Sequence, residues 1–75
     1  MSAAPVLLYV RTGCPYCEAA RAELTARGVP VREINLSERP QATAELMKLT
    51  GGRRIVPVIV DGTRIAVAPD GGTPF

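Results

Sequence analysis

Apolar and polar positions divide the chain into short segments that differ in their period. Residues 6–10 are apolar throughout and rich in β-forming side chains, which predicts a strand covered on both faces. Residues 18–27 have the spacing of a helix. The apolar face of this helix is formed by residues four positions apart, Tyr16, Ala20 and Leu24. Gly28 and Pro30 are expected to end it, so a strand and a helix open the chain.

A second strand and a second helix are predicted next. Residues 31–36 are more polar than the first strand, which is typical of a strand nearer a sheet edge. Because a helix joins the two strands, they should be parallel, with a right-handed crossover. The second helix opens within residues 37–40, with either Ser37 or Arg39 as its N-cap. Its apolar face comprises Ala42, Leu46 and Leu49, and Gly51 with Gly52 ends it.

The last third of the chain predicts two strands and a loop. Residues 55–60 form the third strand, and Asp61-Gly62 is a two-residue hairpin signal. Residues 63–67 then make a fourth strand antiparallel to the third. Residues 69–74 are a loop by composition. The element order is β-α-β-α-β-β, an α/β fold with a four-stranded mixed sheet.

Length and composition restrict the function further. Seventy-five residues make one domain, residues 1–75, and the net charge of +2 is too balanced to favour nucleic acid or an acidic membrane surface. Aromatic residues are 4% of the chain, so few side chains are available on which the bases of a single-stranded nucleic acid could stack. No apolar run approaches the length of a membrane span, and the first five residues do not resemble a secretory signal, so we expect a cytoplasmic protein.

Two thiols lie where the first strand gives way to the first helix. The unpaired N–H groups and the dipole at a helix N-terminus stabilise a thiolate, so Cys14 is the predicted nucleophile. Pro15 suits the first helical position, because its fixed φ is helical and its missing N–H is not needed there. Cys17 lies almost one turn further on the same face and is the predicted resolving thiol. A Cys-x-x-Cys pair near a βαβ pattern is typical of a thioredoxin-like redox site.

Two other interpretations of the thiol pair remain open. The cysteines could be a buried pair or half of a zinc site, although zinc usually takes four ligands and the chain has no His and no further Cys. We therefore expect no metal site within one chain. An iron–sulfur cluster held by the thiolates of two chains is the second alternative, which would make the protein a non-catalytic dimer.

Three stretches together resemble the glutaredoxin family, and they span most of the chain. They are Cys14-Pro15-Tyr16-Cys17 preceded by Arg11, the segment Arg54-Ile55-Val56-Pro57, and the pair Gly71-Gly72. The resemblance implies a thioredoxin-like fold and a small thiol–disulfide oxidoreductase. It would reduce protein disulfides or glutathione mixed disulfides, with glutathione as co-substrate and no bound cofactor.

The resemblance also implies roles for residues around the thiols. Arg11 would contact a glutathione carboxylate, the backbone of Val56 would pair with an extended substrate, and the Val56–Pro57 bond would be cis. The implied glutathione-binding residues are Arg11, Pro15, Tyr16, Val56, Pro57, Gly71 and Gly72. Less specific alternatives are a surface arginine at position 11, a trans proline, and a flexible glycine tail. Arg53 and Arg54 either steer an anionic tripeptide or are ordinary loop charges.

The chain departs from the glutaredoxin pattern after the glycine pair. Glutaredoxins typically continue into a helix that binds the γ-glutamyl end of glutathione, whereas here Thr73-Pro74-Phe75 follows. We therefore expect a variant without the last helix, with Phe75 and the tail or a second subunit covering the sheet face left bare. The expected partners are glutathione and disulfide-containing proteins, and the expected state is a monomer or a weak dimer. A protein reduced by a thioredoxin reductase is the competing hypothesis for the electron donor.

Overall fold

The computed structural model describes residues 5–75 and contains two helices and six strands in that range. In chain order the elements are β1 (Val6–Val10), α1 (Pro15–Ala26), β2 (Val31–Asn35), α2 (Thr43–Thr50), β3 (Ile55–Val56), β4 (Val58–Asp61), β5 (Arg64–Val67) and β6 (Thr73–Pro74). A 3₁₀ turn, Pro40–Ala42, precedes α2. The main sheet has four strands in the order β2-β1-β4-β5, and β3 and β6 form a separate two-stranded sheet.

Strand β1 lies in the middle of the main sheet. It is parallel to β2 and antiparallel to β4, while β4 and β5 form an antiparallel hairpin. Four of its five residues are buried, and Leu8, Tyr9 and Val10 have no exposed surface. The predicted mixed α/β sheet, the buried first strand and the edge position of the second strand are all confirmed.

Pro57 divides the predicted third strand into two. Residues 55–56 pair with the C-terminal segment as β3, whereas residues 58–61 join the main sheet as β4. The prediction of one continuous strand over 55–60 was wrong, because a proline has no N–H to donate to a ladder. The Val56–Pro57 peptide bond is cis, as predicted.

The hairpin and the C-terminal loop also differ from the prediction. Asp61 pairs with Arg64, so the two-residue loop is Gly62-Thr63 rather than Asp61-Gly62. Gly62 has a φ of +61°, a conformation that glycine adopts without steric cost. Residues 73–74, predicted as loop, form the short strand β6 because β3 supplies them with a partner.

Both helix ends follow the glycine pattern, and the start of α1 follows the prediction from Pro15, whereas the start of α2 does not follow the prediction. Gly28 has a φ of +71° just after α1, and Gly51 ends α2 in the left-handed conformation. Helix α1 begins at Pro15, the predicted first helical position, and so includes three residues before the run 18–27. Neither Ser37 nor Arg39 caps the second helix with its side chain, and the 3₁₀ turn leads into α2 instead.

The two faces of the main sheet are covered to different extents. On one face Tyr9, Val58 and Leu46 of α2 are fully buried. The Tyr9 hydroxyl donates a hydrogen bond to Glu45 Oε1 at 2.9 Å. Burial, followed by this hydrogen bond and the charge of Glu45, raises the pKa of Tyr9 to about 12. On this side, therefore, α2 is tied to β1 by packing and by a hydrogen bond.

The opposite face carries α1 and an open groove. Leu24 of α1 is buried against it, whereas Ile59 and Ala66 are only half-buried. A groove of about 590 Å³ lies between α1 and the β4–β5 hairpin. Phe75 does not line this groove and packs against the core cluster instead, whereas residues 69–71 do line it. Cover of this face by a second subunit stays a prediction.

The sequence contains no apolar run long enough to span a membrane, and the two helices bear on the same point. Neither helix within residues 5–75 has the length and apolar character needed to cross a membrane.

Candidate active site

Cys14 is the N-cap of α1. Its backbone is extended, with φ −100° and ψ 108°, and its carbonyl oxygen accepts the first helical hydrogen bond from the Glu18 N–H. Its Sγ accepts a hydrogen bond from the Cys17 N–H at 3.1 Å. Pro15 occupies the first helical position, where no N–H is needed. The Cys14 sulfur thus lies where an N–H group without a partner inside the helix, together with the helix dipole, stabilises negative charge.

Cys14 and Cys17 form a disulfide in this structure. Their Cα atoms are 5.2 Å apart, within the range that a disulfide spans. Both residues belong to the main core cluster together with Val56, and Cys14 is only 2% exposed. The pair can therefore close within one chain, and in the oxidised state both sulfurs are inaccessible to a protein substrate.

The loop that delivers Cys14 is anchored to the end of β2. The Thr12 N–H donates to Ser37 Oγ at 3.1 Å, and the Asn35 side-chain amide donates to Thr12 Oγ1 at 3.3 Å. The Ser37 N–H in turn donates to Asn35 Oδ1, while the Leu36 N–H continues the pairing with β1. Ser37 was predicted as a possible helix cap, and it instead fixes the position of the thiol loop.

Val56 and Pro57 are buried between the main sheet and the C-terminal segment. Val56 has no exposed surface and pairs with Thr73 across the β3–β6 ladder. The Pro57 carbonyl oxygen accepts from the Ala68 N–H at 2.8 Å. The backbone of Val56, which the sequence assigned to an extended substrate, therefore has a partner strand from its own chain.

The structure brings the remaining predicted site residues together around the C-terminal segment, residues 71–75. Arg11 Nη1 donates to the Pro74 carbonyl oxygen at 3.2 Å. Tyr16 is 45% exposed, and a Cβ placed on Gly71 would lie 2.8 Å from its ring. A Cβ on Gly72 would lie 2.5 Å from the Val56 carbonyl oxygen. The glycine pair is thus packed closely against Tyr16 and Val56 rather than being a free tail.

Arg54 and Phe75 contact each other in this arrangement, and this contact was not predicted from the sequence. Arg54 Nε donates to the Phe75 backbone oxygen at 2.8 Å, and its guanidinium lies 4.9 Å from the centre of the Phe75 ring. The Phe75 N–H donates to the Arg54 carbonyl oxygen at 3.1 Å. The available signal was weak, because it consists of an arginine just before β3 and an isolated aromatic residue some twenty positions later.

Metal binding within one chain receives no support from the described part of the structure. Among residues 5–75 no group of three or more His, Cys, Asp or Glu side chains is arranged to hold a metal ion. An iron–sulfur cluster bound by four thiolates would need thiols from a second chain.

A dithiol at the N-terminus of the first helix, on a mixed sheet with a cis-proline after the second helix, defines a thioredoxin-like thiol–disulfide oxidoreductase. The glutaredoxin family model matches residues 6–65, most of the chain. The chain therefore belongs to the glutaredoxin family. Gly71 and Gly72 lie beyond the matched region.

Individual relatives agree with this assignment. Glutaredoxin of Pseudomonas aeruginosa is 30% identical over 66 residues, covering 88% of this chain and 79% of the relative. Glutaredoxin 3 of Escherichia coli is 28% identical over 67 residues, covering 89% and 81%. The crystal structure of a glutaredoxin (grx-1) from Archaeoglobus fulgidus is similar, with a TM-score of 0.73 and 26% identity. The similar region covers 93% of this chain and 76% of the other.

Proposed function

We propose that the protein reduces protein disulfides and glutathione mixed disulfides, with Cys14 as the attacking thiolate and Cys17 as the resolving thiol. The observation that carries the proposal is the position of Cys14 as N-cap, with its Sγ bonded to the Cys17 N–H. This position favours the thiolate, which is the nucleophilic form. The two cysteines can also close a disulfide with each other, which is the step that releases the product.

The reaction proceeds through two exchanges. The Cys14 thiolate attacks one sulfur of the substrate disulfide, forms a mixed disulfide and releases the first substrate thiolate. Cys17, as thiolate, then attacks the Cys14 sulfur, releases the second substrate thiolate and leaves the Cys14–Cys17 disulfide. The substrate gains two electrons and the protein loses two.

Two molecules of glutathione would complete the cycle by reducing the Cys14–Cys17 disulfide to the dithiol. They would leave as glutathione disulfide. Two features support glutathione as the donor, namely membership of the glutaredoxin family and the basic residues Arg11 and Arg54 beside the site. We place the reaction in the cytoplasm, since a reducing compartment keeps such a pair in its dithiol form. Turnover with glutathione and glutathione reductase should exceed turnover with thioredoxin reductase, and the reverse order would contradict this choice of donor.

The assignment of the two cysteines is tested by a reduction assay on single variants. Cys14→Ser should lower reduction of both insulin and a glutathione mixed disulfide to background, because no nucleophile remains. Cys17→Ser should still reduce the glutathione mixed disulfide, since external glutathione can resolve the intermediate, and should lose most activity on insulin. Wild-type turnover in Cys14→Ser would refute the assignment.

A further inference from the structure

The C-terminal segment lies along the backbone of Val56, which the family resemblance assigns to an extended substrate. Thr73 pairs with Val56 and Pro74 with Ile55, in antiparallel register. The ladder continues at Phe75, whose N–H donates to the Arg54 carbonyl oxygen. An extended peptide that adds to an exposed strand edge binds in this manner, through main-chain hydrogen bonds.

Side chains hold the same segment in place. Arg11 donates to the Pro74 carbonyl oxygen, and Arg54 donates to the Phe75 backbone oxygen. The Arg54 guanidinium also lies over the Phe75 ring. Both arginines that flank the site are therefore bound to the chain's own backbone instead of to a substrate carboxylate.

The fit of the segment depends on small residues at two places. Gly71 lies against the Tyr16 ring, and Gly72 lies against the carbonyl oxygen of Val56, each closer than a side chain with a Cβ allows. At the same time Cys14, which must meet a substrate disulfide, is only 2% exposed. Cys14 is therefore enclosed in the disulfide form that the structure describes.

We propose that residues 71–75 act as an internal competitor that occupies the substrate-binding edge of β3 and leaves it when a substrate binds. The substrate class follows from the chemistry of the occupant. The expected substrate is an extended peptide whose backbone pairs with Val56. The oxygen atoms at one end of this peptide accept hydrogen bonds from Arg11 and Arg54. The inference rests on the proposed function, and on the family resemblance for the identity of this edge as the substrate site.

Thiol alkylation tests the competition without using the enzymatic reaction. Cys17→Ser leaves Cys14 as the single thiol, and the rate of its reaction with iodoacetamide is measured in this reduced background. Phe75→Ala removes the ring from Arg54 and should raise the rate about twofold to fivefold, as expected for an exposed cation–π contact. Gly72→Ala places a Cβ against the Val56 carbonyl oxygen and should raise the rate further.

Ile65→Ala is the matched control, because Ile65 is a large exposed apolar residue on β5, outside the segment. It should react at the rate of the Cys17→Ser parent. Circular dichroism identifies any variant that has unfolded, and if Gly72→Ala unfolds, Phe75→Ala decides the outcome. Rates in Phe75→Ala equal to the parent would overturn the proposal.

Turnover separates this inference from the proposed function. In the protein with both cysteines, Phe75→Ala should lower KM for a peptide disulfide and leave kcat unchanged, because a competitor has been weakened. If Cys14→Ser retains full turnover, the proposed function fails, whereas the alkylation result still shows whether the segment protects Cys14. A raised KM in Phe75→Ala would show that the segment helps to bind substrate, which contradicts competition.

Discussion

The two helices of this protein begin in different ways, although both are tied to β1. Helix α1 starts abruptly at Pro15, with the Cys14 sulfur bonded to an amide of the first turn. Helix α2 starts through a 3₁₀ turn, and its N-cap residue, Ala42, offers no side-chain hydrogen bond. A contact from outside the helix, between Tyr9 of β1 and Glu45, holds its first turn instead.

The start of α1 therefore has a chemical role at the thiols, whereas the start of α2 has a structural role. The first turn of α1 needs an acceptor, and the Cys14 Sγ serves as one. The first turn of α2 receives its support from the sheet, through the hydrogen bond between Tyr9 and Glu45. The predictions below test this separation.

Thiol ionisation should differ between the two helix starts. Cys14 in the Cys17→Ser variant should reach half-maximal alkylation at least about one pH unit below an ordinary thiol at about 8.5. The comparison uses Ala44→Cys in a Cys14→Ser/Cys17→Ser background, which places a thiol on the exposed face of the first turn of α2. This thiol should behave ordinarily, and identical pH profiles would show that the helix start does not activate Cys14.

Removing the packing of α2 should have the largest effect on stability. Leu46 has no exposed surface and packs in the core, so Leu46→Ala should lower the free energy of unfolding by about 2–5 kcal/mol. Leu49→Ala is the control on the same helix, because Leu49 is only half-buried and should cost less. Urea denaturation of both variants measures the difference, and equal losses would mean that α2 is not anchored through Leu46.

Tyr9 makes stability depend on pH in the alkaline range. Its pKa rises from the ordinary value near 10 to about 12 on folding, so the folded state prefers the protonated form. The contribution is present below pH 10 and is lost between pH 10 and pH 12, amounting to about 3 kcal/mol. Tyr9→Phe should remove this loss and, at pH 7, cost about 0.5–1.5 kcal/mol for the missing hydrogen bond.

The measurement for Tyr9 is denaturant unfolding of both proteins across pH 8–12. The two curves should approach each other and cross between pH 10 and pH 12, because only the wild type loses stability through this group and its loss exceeds the cost of Tyr9→Phe at pH 7. Parallel curves over the whole range would contradict the role assigned to the Tyr9–Glu45 hydrogen bond.

The smallest expected effect is a gain in stability at the start of the 3₁₀ turn. Arg39 precedes Pro40 with φ −128° and ψ 73° and makes no side-chain cap. Arg39→Ser supplies an oxygen there and should raise the free energy of unfolding by about 0.5–1 kcal/mol, with alkylation of Cys14 unchanged. Arg53→Ser, a substitution of another exposed arginine outside the helices, is the control and should leave stability unchanged.

The start of α1 was predictable because its signals are local. The apolar strand, the cysteine spacing and the proline at the first helical position all lie within twelve residues of one another. Gly28 and Gly51 were predictable for the same reason, since a left-handed residue is needed where a helix ends. The family resemblance extended this reasoning to the cis peptide bond before Pro57, which local pattern alone leaves open.

The parts that were not predicted depend on distant partners. The Ser37 hydroxyl is bonded to the Thr12 amide, 25 positions away, so it is not free to cap a helix. Strand β6 is only two residues long and has no alternating pattern of its own, because its pairing is dictated by β3. Contacts of this kind follow from the assembled sheet, and a segment read by itself does not contain them.

The burial of the thiols links reactivity and folding in this small protein. Cys14 and Cys17 rank among its largest fully enclosed side chains, so the groups that carry electrons also help to fill the interior. Any change in the bond between these two sulfurs therefore takes place inside the hydrophobic core. Evolution and protein engineering alike must vary the neighbours of these sulfurs within the volume that both oxidation states can occupy.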